Sequence, residues 1–90
     1  MIRKFKDFQP IVDEEAFIAE TAVVIGQVEI KKDANIWFNA VIRGDVNKVT
    51  IGERTNIQDL TMIHVADDFE TNIGDDVTIG HKAMLSLIHI

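Results

Sequence analysis

Aliphatic residues recur every six positions along this chain, at Ile18, Val24, Ile30, Ile36 and Ile42. The beat resumes at Ile51, Ile57 and Ile63, and again at Ile73, Ile79 and Leu85. Four residues after each beat the side chain is usually small or β-branched: Ala22, Val28, Ala34, Ala40, Val46, Thr55, Thr61, Val77 and Ala83. An amphipathic helix repeats about every 3.6 residues and a half-buried strand about every 2. A period of six with a small residue at a fixed offset fits neither. It predicts an all-β solenoid of short parallel strands, one hexapeptide per side of a triangular coil.

Counted three to a coil, Ile18, Ile36, Ile57 and Ile79 open first sides. Val24, Ile42, Ile63 and Leu85 open second sides, and Ile30, Ile51 and Ile73 open third sides. Two interruptions, at residues 47–50 and 69–72, follow second sides and are expected to bulge from one corner. Residues 1–17 precede the beat as a cap, 18–85 form the coils, and 86–90 are an atypical tail. Phe5, Phe8 and Phe17 are expected to close the bottom of the first coil, and Pro10, which has no N–H to donate, suits an edge there.

Parallel strands of adjacent coils lie about 4.8 Å apart, so equal offsets on equal sides stack. One outward ladder reads Ile25, Arg43, His64, Ser86. A second reads Glu20, Phe38, Asp59, His81, and a third Ala19, Trp37, Gln58, Gly80. Trp37 and Phe38 both point outward, which fits either an interface or packing beneath the N-terminal segment. His64 and His81 fall on different sides, so one subunit does not easily unite them, whereas a symmetric neighbour would. A catalytic zinc takes three protein ligands. The seat above His64 is position 86, a serine.

Ninety residues make one small domain; 47% apolar content is enough for a core, but a core of this size with an uncapped solenoid end is marginal, so an oligomer or a fragment is expected. The net charge of −6 leaves no basic stripe for nucleic acid. The chain has no cysteine, which excludes disulfides and thiolate metal sites. The opening MIRKFKDFQP has no apolar core and is not read as a signal peptide. No stretch is long enough to span a membrane, and a cytoplasmic location is the expectation. The acidic run Asp67, Asp68, Phe69, Glu70 reads as a solvated loop and lacks the spacing of a calcium loop.

Four segments together, IWFNAVIRGD (36–45), TNIQD (55–59), MIHV (62–65) and IGDDVTIGHKAM (73–84), resemble the γ-class carbonic anhydrase-like proteins. The resemblance implies a left-handed parallel β-helix that assembles as a homotrimer. It implies zinc, or another divalent metal such as iron or cobalt, held by His64 and by His81 of the adjacent subunit. Arg43 and Asp45 would make charged contacts at the trimer interface, against the plainer reading of a structural ion pair. Gln58 would hold water or bicarbonate at the metal, and Asp59 would join the same polar network. The implied reaction is reversible hydration of carbon dioxide to bicarbonate, driven by the lowered pKa of water on zinc. No proton shuttle stands out. Two alternatives remain: a hexapeptide-repeat acyltransferase using a CoA-linked donor, and a non-catalytic trimeric scaffold.

The tail departs from the family. Where the family continues as GHKAMLHGC, this chain reads GHKAMLSLIHI, so the third ligand seat is Ser86. His89 falls at an inward offset, and Leu87 and Ile88 at outward ones, against the pattern. One reading is that the tail is not native and the solenoid is truncated there, leaving the ninety residues inactive alone, with Ile79 and Leu85 exposed and solubility poor. The transposase-adapter sequence CTGTCTCTTATACACATC translates in one frame to LSLIHI, residues 85–90. Sequencing the source gene from a library made without transposase is expected to show different codons from position 85 on. Genomic recovery of LSLIHI followed by a stop would sink that reading.

Overall fold

In a computed structural model, residues 1–64 and 70–86 are described. The strands are β1 (Ile2–Arg3), β2 (Ile11–Val12), β3 (Phe17–Ile18), β4 (Val23–Ile30), β5 (Asn35–Ile36) and β6 (Val41–Ile51). They continue with β7 (Asn56–Ile57), β8 (Met62–His64), β9 (Thr71–Ile73), β10 (Thr78–Ile79) and β11 (Met84–Ser86). All pairing between these strands is parallel, and the described residues contain no helix.

First sides stack as β3-β5-β7-β10, with Ile18 under Ile36, Ile36 under Ile57 and Ile57 under Ile79. Second sides stack as β1-β4-β6-β8-β11, with Val24 under Ile42, Ile42 under Ile63 and Ile63 under Leu85. Third sides run from β2 through the far ends of β4 and β6 to β9, with Ile30, Ile51 and Ile73 in register. The hexapeptide beat is therefore a physical column of aliphatic side chains. Ile30, Ile36, Ile42, Ile51, Ile57, Ile63 and Ile73 all lie fully buried in it. Removing such surface from water is the main favourable term available to a chain this small.

The sides stay short because the chain turns at a left-handed residue. Asp33, Arg54 and Asp76 have positive φ at one corner, and Asn39, Leu60 and Lys82 at another. Each stands three residues after its beat. At the first corner Arg54 donates to both carboxylate oxygens of Asp76 one coil above, at 2.6 and 3.0 Å.

Several expectations need correction. Val46 does not take the small inward seat; it is exposed. Val49 takes that seat, fully buried between Val28 below and Thr71 above. The cause is where the extra residues enter. Register holds at Gly26–Gly44 and resumes at Val28–Val49, so the bulge occupies 45–48 and not 47–50. Likewise Thr71 and Asn72 pair with Val49 and Thr50, so the second insertion lies before them, between β8 and β9. Both breaks in register fall between a second side and a third side. Residues 65–69 lie outside the described residues, and with them Asp67, Asp68 and Phe69; Glu70 is exposed. Leu87, Ile88 and His89 of the tail also lie outside them, and Ser86 is described by its backbone pairing alone.

The lower end differs too. Val12 pairs with Ile30, so the third-side column begins one hexapeptide before Ile18, inside the segment expected as a cap. Pro10 is buried and leads into that bottom strand. Phe5 and Phe8 close a tight turn through two backbone hydrogen bonds, and Phe5 lies against Gly26. Phe17 is not beneath the coil; its ring sits 4.9 Å from that of Trp37 on the first-side face. Ile79, expected to be exposed, retains only 7% of its surface, because its inward side chain is walled by the column below and by Val77 and Ala83.

Two positions test the stacking. A Cβ on Gly44 would collide with the Gln27 carbonyl oxygen, a backbone atom that cannot swing aside. Gly44→Ala is expected to cost about 2–4 kcal/mol in urea unfolding. Thr71 has a fully buried hydroxyl with no hydrogen-bond partner among the described residues, in a column otherwise filled by Val28 and Val49. By contrast, Thr55 and Thr61 donate to the carbonyls of Gly74 and Gly80 in the coil above. Thr71→Val, which keeps the shape and removes the orphan, is expected to raise stability by about 1 kcal/mol. A loss in the same assay would contradict this account.

Candidate functional site: a histidine ladder and an amide-lined cleft

The second-side face carries Arg43 directly beneath His64, and His64 beneath the backbone of Ser86. These three seats match the ladder expected from the sequence. Asp45 enters the group because the bulge starts at it and turns its carboxylate back. Arg43 donates from Nη2 to Asp45 Oδ2 at 2.7 Å. The pair lies within one chain. Asp45 is the more enclosed partner, with 19% of its side chain exposed against 44% for Arg43. The Arg43 hydrogen bond holds the Asp45 carboxyl below its ordinary value, assisted by the positive fields of Arg43 and His64 and opposed by desolvation.

The first-side face carries a different group. An open cleft of about 630 Å³ is lined by Asn35, Trp37, Asn56, Gln58, Asp59, Leu60, His81 and Lys82. Gln58, Asp59 and His81 therefore share one cavity, as their stacked offsets implied. Trp37 forms its wall, packed on Phe17 and 5.9 Å from Phe38. Phe38 remains exposed. The Trp37 indole N–H donates to Asn35 Oδ1 at 2.8 Å, and the Asn56 amide N–H donates to the same oxygen.

Asn35 and Asn56 were missed in the sequence. The signal was present, since Phe17, Asn35, Asn56 and Thr78 stand one residue before successive first-side beats and stack.

The predicted residues thus fall into two groups on two faces: Arg43, Asp45 and His64 on one, Gln58, Asp59 and His81 on the other. The described residues hold no cluster of three or more histidine, aspartate, glutamate or cysteine side chains suited to a metal. Among the described residues one chain offers two imidazoles, on different faces, and its third seat is a serine. That donor set does not fit a catalytic zinc, which takes three protein ligands of nitrogen, sulfur or carboxylate type.

Parallel coils built from six-residue sides, with functional groups on outward ladders, define a hexapeptide-repeat β-solenoid protein. No protein-family model matches the chain. It is 52% identical over 85 residues to Gamma carbonic anhydrase 1, mitochondrial, of Arabidopsis thaliana, covering 88% of this chain and 31% of that protein. It is 45% identical over 92 residues to Protein YrdA of Escherichia coli, covering 94% and 50%. Among solved structures, a hexapeptide transferase family protein from Anaplasma phagocytophilum superimposes with a TM-score of 0.91 at 46% identity, over 97% of this chain and 51% of that one. The chain belongs to the γ-class carbonic anhydrase-like family of hexapeptide-repeat proteins. It spans from 31% to 51% of the length of these relatives.

The Arg43–Asp45 pair makes a pH prediction. A carboxyl whose folded pKa is lowered stabilises the fold above its unfolded value of about 3.9, and that contribution disappears as pH falls through the folded value. Arg43→Gln is expected to move the Asp45 carboxyl upward in an NMR titration. It should also narrow the stability difference from wild type as pH drops below about 4. An unmoved Asp45 titration would show that Arg43 is not the cause.

Proposed function

We propose that this chain carries part of the active site of a γ-class carbonic anhydrase-like enzyme, a homotrimer acting on carbon dioxide and bicarbonate. The observation that carries the reading is the division of polar groups between two faces of one solenoid. Arg43, Asp45 and His64 on one face complement Gln58, Asp59 and His81 on the other, so adjacent copies packed face to face would bring both groups to one interface. The identity to a plant γ-carbonic anhydrase supports the same assignment.

Within such an interface this chain's residues have separable tasks. Gln58 offers a neutral amide that orients water or bicarbonate without adding charge. Lys82, on the cleft wall, attracts the anion. Asp45, held ionised by Arg43, places a fixed negative charge near His64 and favours imidazole N–H donation toward it. Any zinc, iron or cobalt would need a donor beyond His64 and His81.

A hexapeptide acyltransferase is the second reading. It is favoured by the name of the solved relative and by the cleft, whose volume lies in the range of pockets for drug-sized ligands and far exceeds carbon dioxide.

The deciding experiment compares the chain with Ser86→His for zinc affinity, subunit number and carbon dioxide hydration, with acetyl-CoA binding as the competing readout. Wild type is expected to bind zinc weakly and to show no hydration. Ser86→His is expected to tighten zinc by more than the roughly 10–100-fold that a partner behind a ligand contributes, and to favour the trimer. Tight stoichiometric zinc in wild type, or acetyl-CoA binding without bicarbonate binding, would overturn the proposal.

A further inference from the structure

The Asn35 side chain settles the orientation of a residue it does not resemble in role. An indole N–H donates and never accepts, so the Asn35 atom facing Trp37 Nε1 at 2.8 Å is the carbonyl oxygen. A carbonyl oxygen has two acceptor sites, and the second is filled by Asn56 Nδ2. The Asn56 atom turned toward Asn35 is therefore nitrogen. Its own carbonyl oxygen must turn away from Asn35. Asn35 lies in the coil below Asn56, and Thr78 in the coil above, the coil that bears His81. The Trp37 ring that sets this orientation is itself packed, 4.9 Å from the Phe17 ring and 5.9 Å edge-on from that of Phe38.

We propose that Asn35 is a positioning residue that presents the Asn56 carbonyl oxygen to the cleft as an acceptor, giving that cleft a preference for small anions that carry an O–H. The inference rests on the bicarbonate reading above and deepens it. Gln58 and Lys82 in the same cleft supply donors for the negative oxygens. An acceptor beside them has no use for an anion made only of acceptor oxygens. It distinguishes bicarbonate, which has one O–H, from nitrate, which has the same trigonal plane and none. A site built to accept a hydrogen bond disfavours the analogue that lacks the donor.

The test uses the full ninety-residue chain, labelled with nitrogen-15. Bicarbonate and nitrate are titrated separately while the Asn56 and Gln58 side-chain amides are followed. The chain has one tryptophan, so its indole N–H is an unambiguous second reporter. In wild type, bicarbonate is expected to shift both amides saturably and to bind more tightly than nitrate. In Asn35→Leu the preference for bicarbonate should fall by roughly 5–10-fold, the worth of one neutral hydrogen bond, and the indole N–H should exchange faster with solvent. Asn35→Asp keeps both acceptor sites and should retain the preference and the indole protection. If Asn35→Leu does not fold, Trp37→Phe removes one of the two donors and should weaken the same preference. A folded Asn35→Leu or Trp37→Phe with undiminished preference would overturn the role of Asn35 alone. A wild-type chain that responds to neither anion would overturn the bicarbonate reading and this inference with it.

Discussion

Vertical register between isoleucines is the constraint on which everything else in this molecule rests. Each inward isoleucine sits on the one below and under the one above, so a column of apolar contacts and a ladder of backbone hydrogen bonds are set together. A slip of one residue would turn the whole hexapeptide over and put its aliphatic side chain in water. The same register aligns the outward residues, and so the candidate site is a by-product of core packing. His64 is above Arg43 because Ile63 is above Ile42.

The corners make this register tolerant of insertions. A left-handed residue three positions after the beat ends the first sides begun by Ile36, Ile57 and Ile79 and the third sides begun by Ile30, Ile51 and Ile73, whereas at the second-to-third corner Gly26 and Gly44 let adjacent backbones approach where a Cβ would collide. Extra residues then leave at a corner without disturbing the columns on either side. The bulge at 45–48 shows the consequence: Val46 is carried out to solvent, Val49 resumes the core, and Asp45 is swung against Arg43. One local irregularity thus creates the ion pair that the candidate site uses.

The columns, the three faces and the ladder Arg43, His64, Ser86 were legible in the sequence, because a period of six admits few alternatives and each isoleucine reports its own height. The bulge was legible as an excess of residues but not as a location. Hexapeptide counting fixes where the beat resumes and says nothing of which residues in the gap are surplus; Val46 carried the right side-chain type at the wrong height. Phe17 was misplaced because its aromatic character suggested a cap, while its offset, one before Ile18, already placed it directly below Asn35 on the first-side face. The Asn35–Asn56 contact follows from that same offset. What the pattern does not contain is hydrogen-bond direction, and here that direction comes from the indole of Trp37, which can only donate.

A triangular coil presents its faces outward and divergent, so two groups on different faces of one chain are kept apart by the core itself. Bending the coil to join them would break the isoleucine columns, the most costly change available to so small a fold. In the proposed reading, the cheaper solution is to leave each half-site on its rigid face and to meet the other half across a symmetry axis. This also explains why each half is internally satisfied. Asp45 is paired with Arg43, and Asn35 with both Trp37 and Asn56, so neither face depends on a neighbour to hold its shape. Rigid, pre-paired halves lose little further freedom when brought together, which leaves more of the association energy to hold the small ligand between them.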